Sequence, residues 1–282
     1  MNVLHAQSQL KQQLTSLKSI KKRVGFVPTM GAIHDGHLSL LKQALAENDV
    51  VVISIFVNPT QFNNSEDLEK YPRTLDQDIE MIQSISDKII VYAPSVEDIY
   101  EGNTVAQSFN YDGLENEMEG INRPGHFDGV GTIVKKLFEI VEPTKAYFGE
   151  KDFQQLQIIR KMVHKNNMDI EIVGSPIYRH ENGLAMSSRN QRLSEEAKEK
   201  ATDIYKILVK AKELFSNSSI EEVVLFVEKA FAKDSDFTLE YFVIADDETL
   251  KTASIKESGK KYRGFVVVHI ENVRLIDNLA FN

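Results

Sequence analysis

The chain has 282 residues, with 33 lysines and arginines against 42 acidic residues and a formal net charge of −9. That length holds one large domain or two ordinary ones, and an acidic balance argues against nucleic acid or an anionic membrane as partner. The chain has no cysteine, which rules out disulfides, thiolate metal sites and cysteine nucleophiles.

The first residues, "MNVLHAQSQLKQQLTSLK", lack the apolar centre of a secretory signal. No run approaches the roughly 20 apolar residues of a membrane span. A soluble cytoplasmic protein is the expectation. Val24 to Val27 reads as a buried strand and His37 to Glu47 as an amphipathic helix. "VVISIFV", Val51 to Val57, is a continuous β-branched run, the pattern of a strand covered on both faces. A helix is predicted around Thr74 to Ser86, then the strand "KIIVYAP", a helix around Gly129 to Val141, the strand "KAYFG" and a helix from Phe153 to Asn166. "DIEIVGSPIYR" reads as a further strand bent at Gly174. Strands alternating with helices predict a Rossmann-like, doubly wound parallel sheet in an α/β protein.

Beyond about residue 176 two long helical patterns, Glu195 to Phe215 and Ile220 to Ala232, precede three strand-like runs, "FTLEYFVIA", "RGFVVVHI" and "VRLIDNLAF". That order predicts a second, smaller α+β domain. The expected division is 1–175 and 176–282, with Gly174, Pro176 and Gly183 at the junction as a hinge.

Five stretches carry candidate chemistry. "PTMGAIHDGH", Pro28 to His37, runs from strand to helix, so its backbone N–H groups gather where the helix dipole favours an anion. Gly31 and Gly36 permit a sharp turn, and His34 and His37, three apart, fall on one side of the helix mouth. Imidazoles there can donate to phosphate oxygens during phosphoryl or nucleotidyl transfer. The spacing is neither a Walker A loop nor G-x-G-x-x-G, and a metal pair would lack a nearby third ligand. "FVNPTQF" offers Gln61 beyond the next strand, an amide that donates and accepts. "YFGEKDFQQL" brings Lys151, a point charge for phosphate, with Asp152 as a helix cap and Gln155 one turn on. "GLAMSSRN" sets two hydroxyls beside Arg189 in the manner of a phosphate clamp, and "NRPGHFDGV" adds Arg123 and His126. Taken singly, most of these equally fit capped helices and solvated turns. Together they point to a nucleotide-phosphate site, with no substrate named.

The five stretches, taken in chain order, resemble the pantoate–β-alanine ligase family within the HIGH-type nucleotidyltransferase superfamily, with His34-x-Gly36-His37 as the histidine signature. The resemblance covers about residues 20 to 192 at motif level. It implies a Rossmann-like domain, a smaller domain that closes over the site, and a homodimer. It also implies ATP-dependent condensation of (R)-pantoate with β-alanine through pantoyl adenylate, releasing pyrophosphate and AMP, with Mg²⁺ accompanying ATP. By position, Met30, Gly31, Ala32, Ile33, His34, Asp35, Gly36 and His37 would bind ATP. So would Gly149, Glu150, Lys151 and Asp152, then Tyr178 through its backbone, and Met186, Ser187, Ser188 and Arg189. Gln61 and Gln155 would hold pantoate, and Gln61 would also touch β-alanine. His37, His34 and Lys151 would be catalytic. The family's residue matching His37 is usually treated as a proton donor; charge stabilisation is the role favoured here, since neither step demands a proton from it. Metal ligands are not assigned, although Asp76 and Asp78 lie in an acidic stretch of the family. Two departures stand out: Ile33 replaces leucine, and Asn63-Asn64-Ser65 replaces a Gly-Pro-Asn run in the flap over pantoate. A nucleotidyltransferase that stops at a nucleotide-linked product, and a nucleotide sensor that never consumes ATP, are the competing functions.

Overall fold

The computed structural model describes residues 2–281. The first part of the chain runs β1 (Asn2–Leu4), α1 (Gln7–Lys18), β2 (Val24–Thr29), α2 (Asp35–Glu47), β3 (Val50–Ile55), α3 (Ser65–Glu69) and α4 (Leu75–Ile85). It continues through β4 (Ile90–Tyr92), α5 (Val96–Tyr100), α6 (Met118–Asn122), α7 (His126–Val141), β5 (Lys145–Gly149), α8 (Phe153–Lys165) and β6 (Glu171–Ser175). These six strands form one sheet in the order β1-β4-β3-β2-β5-β6, parallel at every pairing. After it come α9 (Glu195–Lys200), α10 (Thr202–Phe215), α11 (Ile220–Phe231), β7 (Thr238–Asp246), β8 (Tyr262–Ile270) and β9 (Val273–Ala280). The last three make an antiparallel sheet. The α/β class with a smaller α+β part is therefore borne out.

By packing, the chain divides into two compact units. One comprises Met1–Glu150 and Gln155–Pro176, the other Lys151–Gln154 and Ile177–Asn282. In the first, the strand order reverses direction between β2 and β5, since β3 and β4 lie on one side and β6 on the other. Such a reversal opens a crevice at the carboxyl ends of the two strands. α2 lays Leu38, Leu41 and Ala44 against Val27, Ile53 and Val91 of the sheet, which explains its apolar spacing. α7 is buried along most of its length, with Phe127, Val130, Ile133, Val134, Leu137 and Val141 inside.

In the second unit α10 and α11 pack on the antiparallel sheet through Ile204, Leu208, Val223 and Val227 against Phe242, Val266 and Val268. The helix predicted from 195 to 215 is two, α9 and α10, meeting at Ala201. Both keep one apolar face, Ala197, Ala201, Ile204, Leu208, Ala211 and Phe215, which is why the periodicity read straight through the break. Gly174 lies inside β6 against Leu156, and Gly183 forms a tight turn against Tyr205.

Candidate active site

The histidine loop leaves β2 at Thr29 and enters α2 at Asp35, with His34 as the N-cap residue. Gly31 and Ala32 both sit at positive φ, 82° and 49°, so the chain turns through two left-handed residues in succession. The sequence places backbone N–H groups here for an anion, but the structure spends several internally. Gly31 N–H donates to Thr29 Oγ1 at 3.2 Å, Ala32 N–H to Asp78 Oδ2 at 3.1 Å, and Ile33 N–H to Asp78 Oδ1 at 2.8 Å. What the loop offers outward is its side chains. The His34 and His37 rings stack at 4.0 Å between centroids and 25° between planes, and both are half-buried. His34 N–H donates to His37 Nδ1 at 3.4 Å. A neutral His37 ring therefore carries its proton on Nε2, as a donor.

Gln61 ends a one-turn 3-10 helix, Pro59–Gln61, after β3, and is 8 % exposed. Its amide is held at both ends: Asn58 Nδ2 donates to Oε1 at 3.1 Å, and Nε2 lies 3.1 Å from Met30 Sδ of the histidine loop. Asn58 is itself fixed, donating to the Gly129 carbonyl at 3.2 Å and accepting from the Tyr100 hydroxyl at 2.7 Å. Burial raises the Tyr100 phenol above its ordinary range, so it stays protonated and donates. The same turn is docked on α7. His126 Nδ1 donates to the Gln61 carbonyl at 2.8 Å, and a Cβ on Gly129 would come within 2.3 Å of the Thr60 carbonyl oxygen. The sequence marked His126 without a role and read Asn58 as part of an Asn-Pro turn. His126 reaches the Gln61 carbonyl from 65 residues away, and Asn58, beside its local bond to Gln61, reaches Gly129 from 71, separations that carry no local signal.

Two tests follow from this docking. His126→Ala removes one buried hydrogen bond to the Gln61 turn, and should cost about 1–3 kcal/mol in urea unfolding. His126→Asn, whose Nδ2 reaches the place of Nδ1, should restore most of that loss. Gly129→Ala must displace the turn itself, and is expected to cost about 1–3 kcal/mol in the same measurement. Unchanged stability in that variant would contradict the docking.

The flap after Gln61 is ordered by the very residues that depart from the family pattern. Asn64 accepts the Glu66 N–H at 2.8 Å and caps α3, while Asn63 Nδ2 donates to the Pro124 carbonyl. Arg73 donates to the Leu68 and Tyr71 carbonyls at 3.2 and 3.1 Å and closes the other end. Gly149 ends β5, beside β2 in the sheet, Glu150 opens the 3-10 turn that follows, and Gln155 is half-buried in the first turn of α8.

The other candidates belong to the second unit. The Lys151 carbonyl accepts from Asn278 Nδ2 of β9 at 2.9 Å, and Lys151 is half-buried while Asp152 is exposed. Met186 N–H donates to the Tyr178 carbonyl at 3.0 Å. Arg179 pairs bidentately with the buried Asp277 at 2.6 and 2.8 Å, donates to the Gly183 carbonyl, and stacks on Tyr205 at 3.9 Å. Ser187 caps a 3-10 turn, Ser188–Arg192, by accepting the Arg189 N–H. The clamp loop is thus a braced hairpin.

A doubly wound parallel sheet with paired imidazoles and a fixed amide beyond its strand ends is the arrangement of an α/β enzyme acting on an anionic ligand. The model of the pantoate–β-alanine ligase family matches residues 2–280. The chain belongs to that family and is a ligase. It is 58 % identical to the pantothenate synthetase of Flavobacterium psychrophilum, over 99 % of both chains. A crystal structure of the Thermus thermophilus pantothenate synthetase superposes with a TM-score of 0.91 at 40 % identity, covering 100 % of this chain and 99 % of that one. The Francisella tularensis pantoate–β-alanine ligase, solved in complex with β,γ-ATP and β-alanine, gives 0.82 at 38 % identity, over 100 % and 98 %.

Proposed function

We propose that this chain condenses (R)-pantoate with β-alanine at the expense of ATP. The observation that carries the reading is membership of the ligase family across residues 2–280, joined to stacked imidazoles and a fixed Gln61 amide in one unit. In the first step a pantoate carboxylate oxygen attacks the α-phosphorus, and the bond to pyrophosphate breaks. In the second the β-alanine amine attacks the acyl carbon, AMP leaves, and the amine proton passes to solvent.

The loop Met30 to His37 takes the nucleotide. His34 and His37 meet the phosphates, with His37 Nε2–H stabilising charge on the pentavalent phosphorus and the departing pyrophosphate. Gln61, with Oε1 engaged by Asn58, presents Nε2–H to pantoate oxygens, assisted by Gln155. Gln61 also touches β-alanine. Gly149 to Asp152 contact the nucleotide, with Lys151 on a phosphate. Tyr178 makes a backbone contact to adenine, and Met186 to Arg189 close on the phosphates. In this reading the division near residue 175 separates an ATP- and pantoate-binding domain from a lid.

Among the described residues no group of three or more His, Asp or Glu side chains is arranged to hold a metal. Asp78 spends its carboxylate on the histidine loop. Mg²⁺ fits this reading as a companion of the triphosphate, where it keeps water and phosphate ligands. A homodimer in the cytoplasm is part of the same reading, supported by the family resemblance. Among the described residues no helix is long and apolar enough to cross a membrane.

The purified chain given ATP, pantoate and β-alanine should form pantothenate and AMP in equal amounts. ADP as product, or turnover indifferent to β-alanine, would overturn the assignment.

A further inference from the structure

Asp78 is 1 % exposed, one turn into α4, and the chemistry above does not use it. The three hydrogen bonds it accepts come from neutral donors: Ala32 N–H at 3.1 Å, Ile33 N–H at 2.8 Å and the Thr74 hydroxyl at 3.0 Å. Oδ1 takes Ile33 and Thr74, and Oδ2 takes Ala32. A carboxylate accepts at both oxygens; a carboxamide cannot. The two N–H groups belong to the stretch that turns left-handed. Ala32 lies at φ 49°, which its Cβ disfavours, and Gly31 lies at 82° with Asp78 Oδ2 3.0 Å from where a Cβ would stand. Two residues later the chain reaches His34, then His37.

We propose that Asp78 is the positioning residue of the histidine loop. It occupies the anion-accepting N–H groups of residues 32 and 33, keeps the left-handed turn in place, and so fixes where both imidazoles stand when the triphosphate arrives. The proposal rests on the reading that His34 and His37 meet the phosphates. It assigns a buried carboxylate in an acidic stretch to the protein's own backbone. Asp78 touches no reacting atom, and its effect passes through His34 and His37 alone. A displacement of the rings by about an ångström is enough to slow phosphoryl chemistry up to a hundredfold.

The test is Asp78→Asn in the full chain, with the half-reactions measured apart. Pantoate-dependent exchange of labelled pyrophosphate into ATP reads the first step, and β-alanine added to supplied pantoyl adenylate reads the second. Exchange should fall about ten- to a hundredfold, while aminolysis stays within about threefold. Thr74→Val, which leaves both backbone bonds intact, should exchange at close to the parent rate. In a ¹H–¹⁵N spectrum of the seven histidines, the His34 and His37 ring signals should move and the others hold. Equal losses in both half-reactions would mark a merely structural carboxylate, and parental exchange would remove the role altogether. Should Asp78→Asn fail to fold, Asp78→Glu, which keeps the charge and misplaces it by one methylene, enters the same assays with the same outcomes. A parent enzyme without pantoate-dependent exchange would defeat the functional reading instead. The histidine signals would then decide the inference: movement confined to His34 and His37 upholds it, and unmoved signals overturn it.

Discussion

Replacing His37 with alanine is expected to lower turnover about a hundredfold or more, with KM for pantoate within about twofold of its starting value. His37 Nδ1 accepts the His34 N–H, so a neutral ring carries its proton on Nε2 and donates from there. Negative charge grows on the phosphorus and on the leaving pyrophosphate, and a fixed donor gains most at that moment. In the proposed reading pantoate is held elsewhere, by the Gln61 amide that Asn58 and the α7 docking keep in place. The loss should therefore appear in kcat rather than in pantoate affinity. An unchanged rate would remove His37 from the chemistry.

Lys151→Ala should cut pyrophosphate release in the first half-reaction about a hundredfold, measured by rapid quench with labelled ATP. The backbone at this position is anchored, since the Lys151 carbonyl accepts from Asn278, whose Oδ1 is bound by Arg263 at 2.7 Å. Arg263 in turn stacks on Phe153 at 3.8 Å and pairs with Asp247 at 2.8 Å. Removing the side chain beyond Cβ leaves this brace intact, so the variant reports the ammonium and not a collapsed loop. A loss confined to the aminolysis step would contradict a role on phosphate.

How much of this was legible in the sequence depends on how far apart the interacting residues are. β2, β3 and β5 are apolar β-branched or aromatic runs that end in turn residues, and a parallel sheet covered on both faces demands that pattern. The helices of the second part kept a clean apolar period. β1 and α1 were not read. β1 has three residues, and α1 carries Leu10 and Leu14 as its fully buried contacts among glutamines and lysines. α7 begins at His126, three residues before its predicted start, because Gly125 takes the left-handed N-cap position ahead of it.

The site divides in the same way. His34 and His37 are neighbours in sequence, and their spacing foretold that the rings share one side. The supporting residues were invisible because each reaches across the fold. Asp78 meets Ala32 and Ile33 from 46 and 45 residues away, and on α4 its place in an acidic first turn looks like a solvated face. Asn58 and His126 find Gly129 and Gln61 only once α7 has packed beside the 3-10 turn. One sequence can nominate the groups that face a ligand. The groups that hold them still are chosen by tertiary contact.

The proposed function requires phosphate oxygens against the paired imidazoles at the start of α2 and the hydroxy acid at the Gln61 amide. A crystal structure of the chain with a non-hydrolysable ATP analogue and pantoate tests it most directly. The account predicts a phosphate oxygen roughly 3 Å from His37 Nε2 and a pantoate oxygen at similar distance from Gln61 Nε2. A nucleotide seated away from both rings, with His34 and His37 still stacked on each other and touching no ligand, would contradict it.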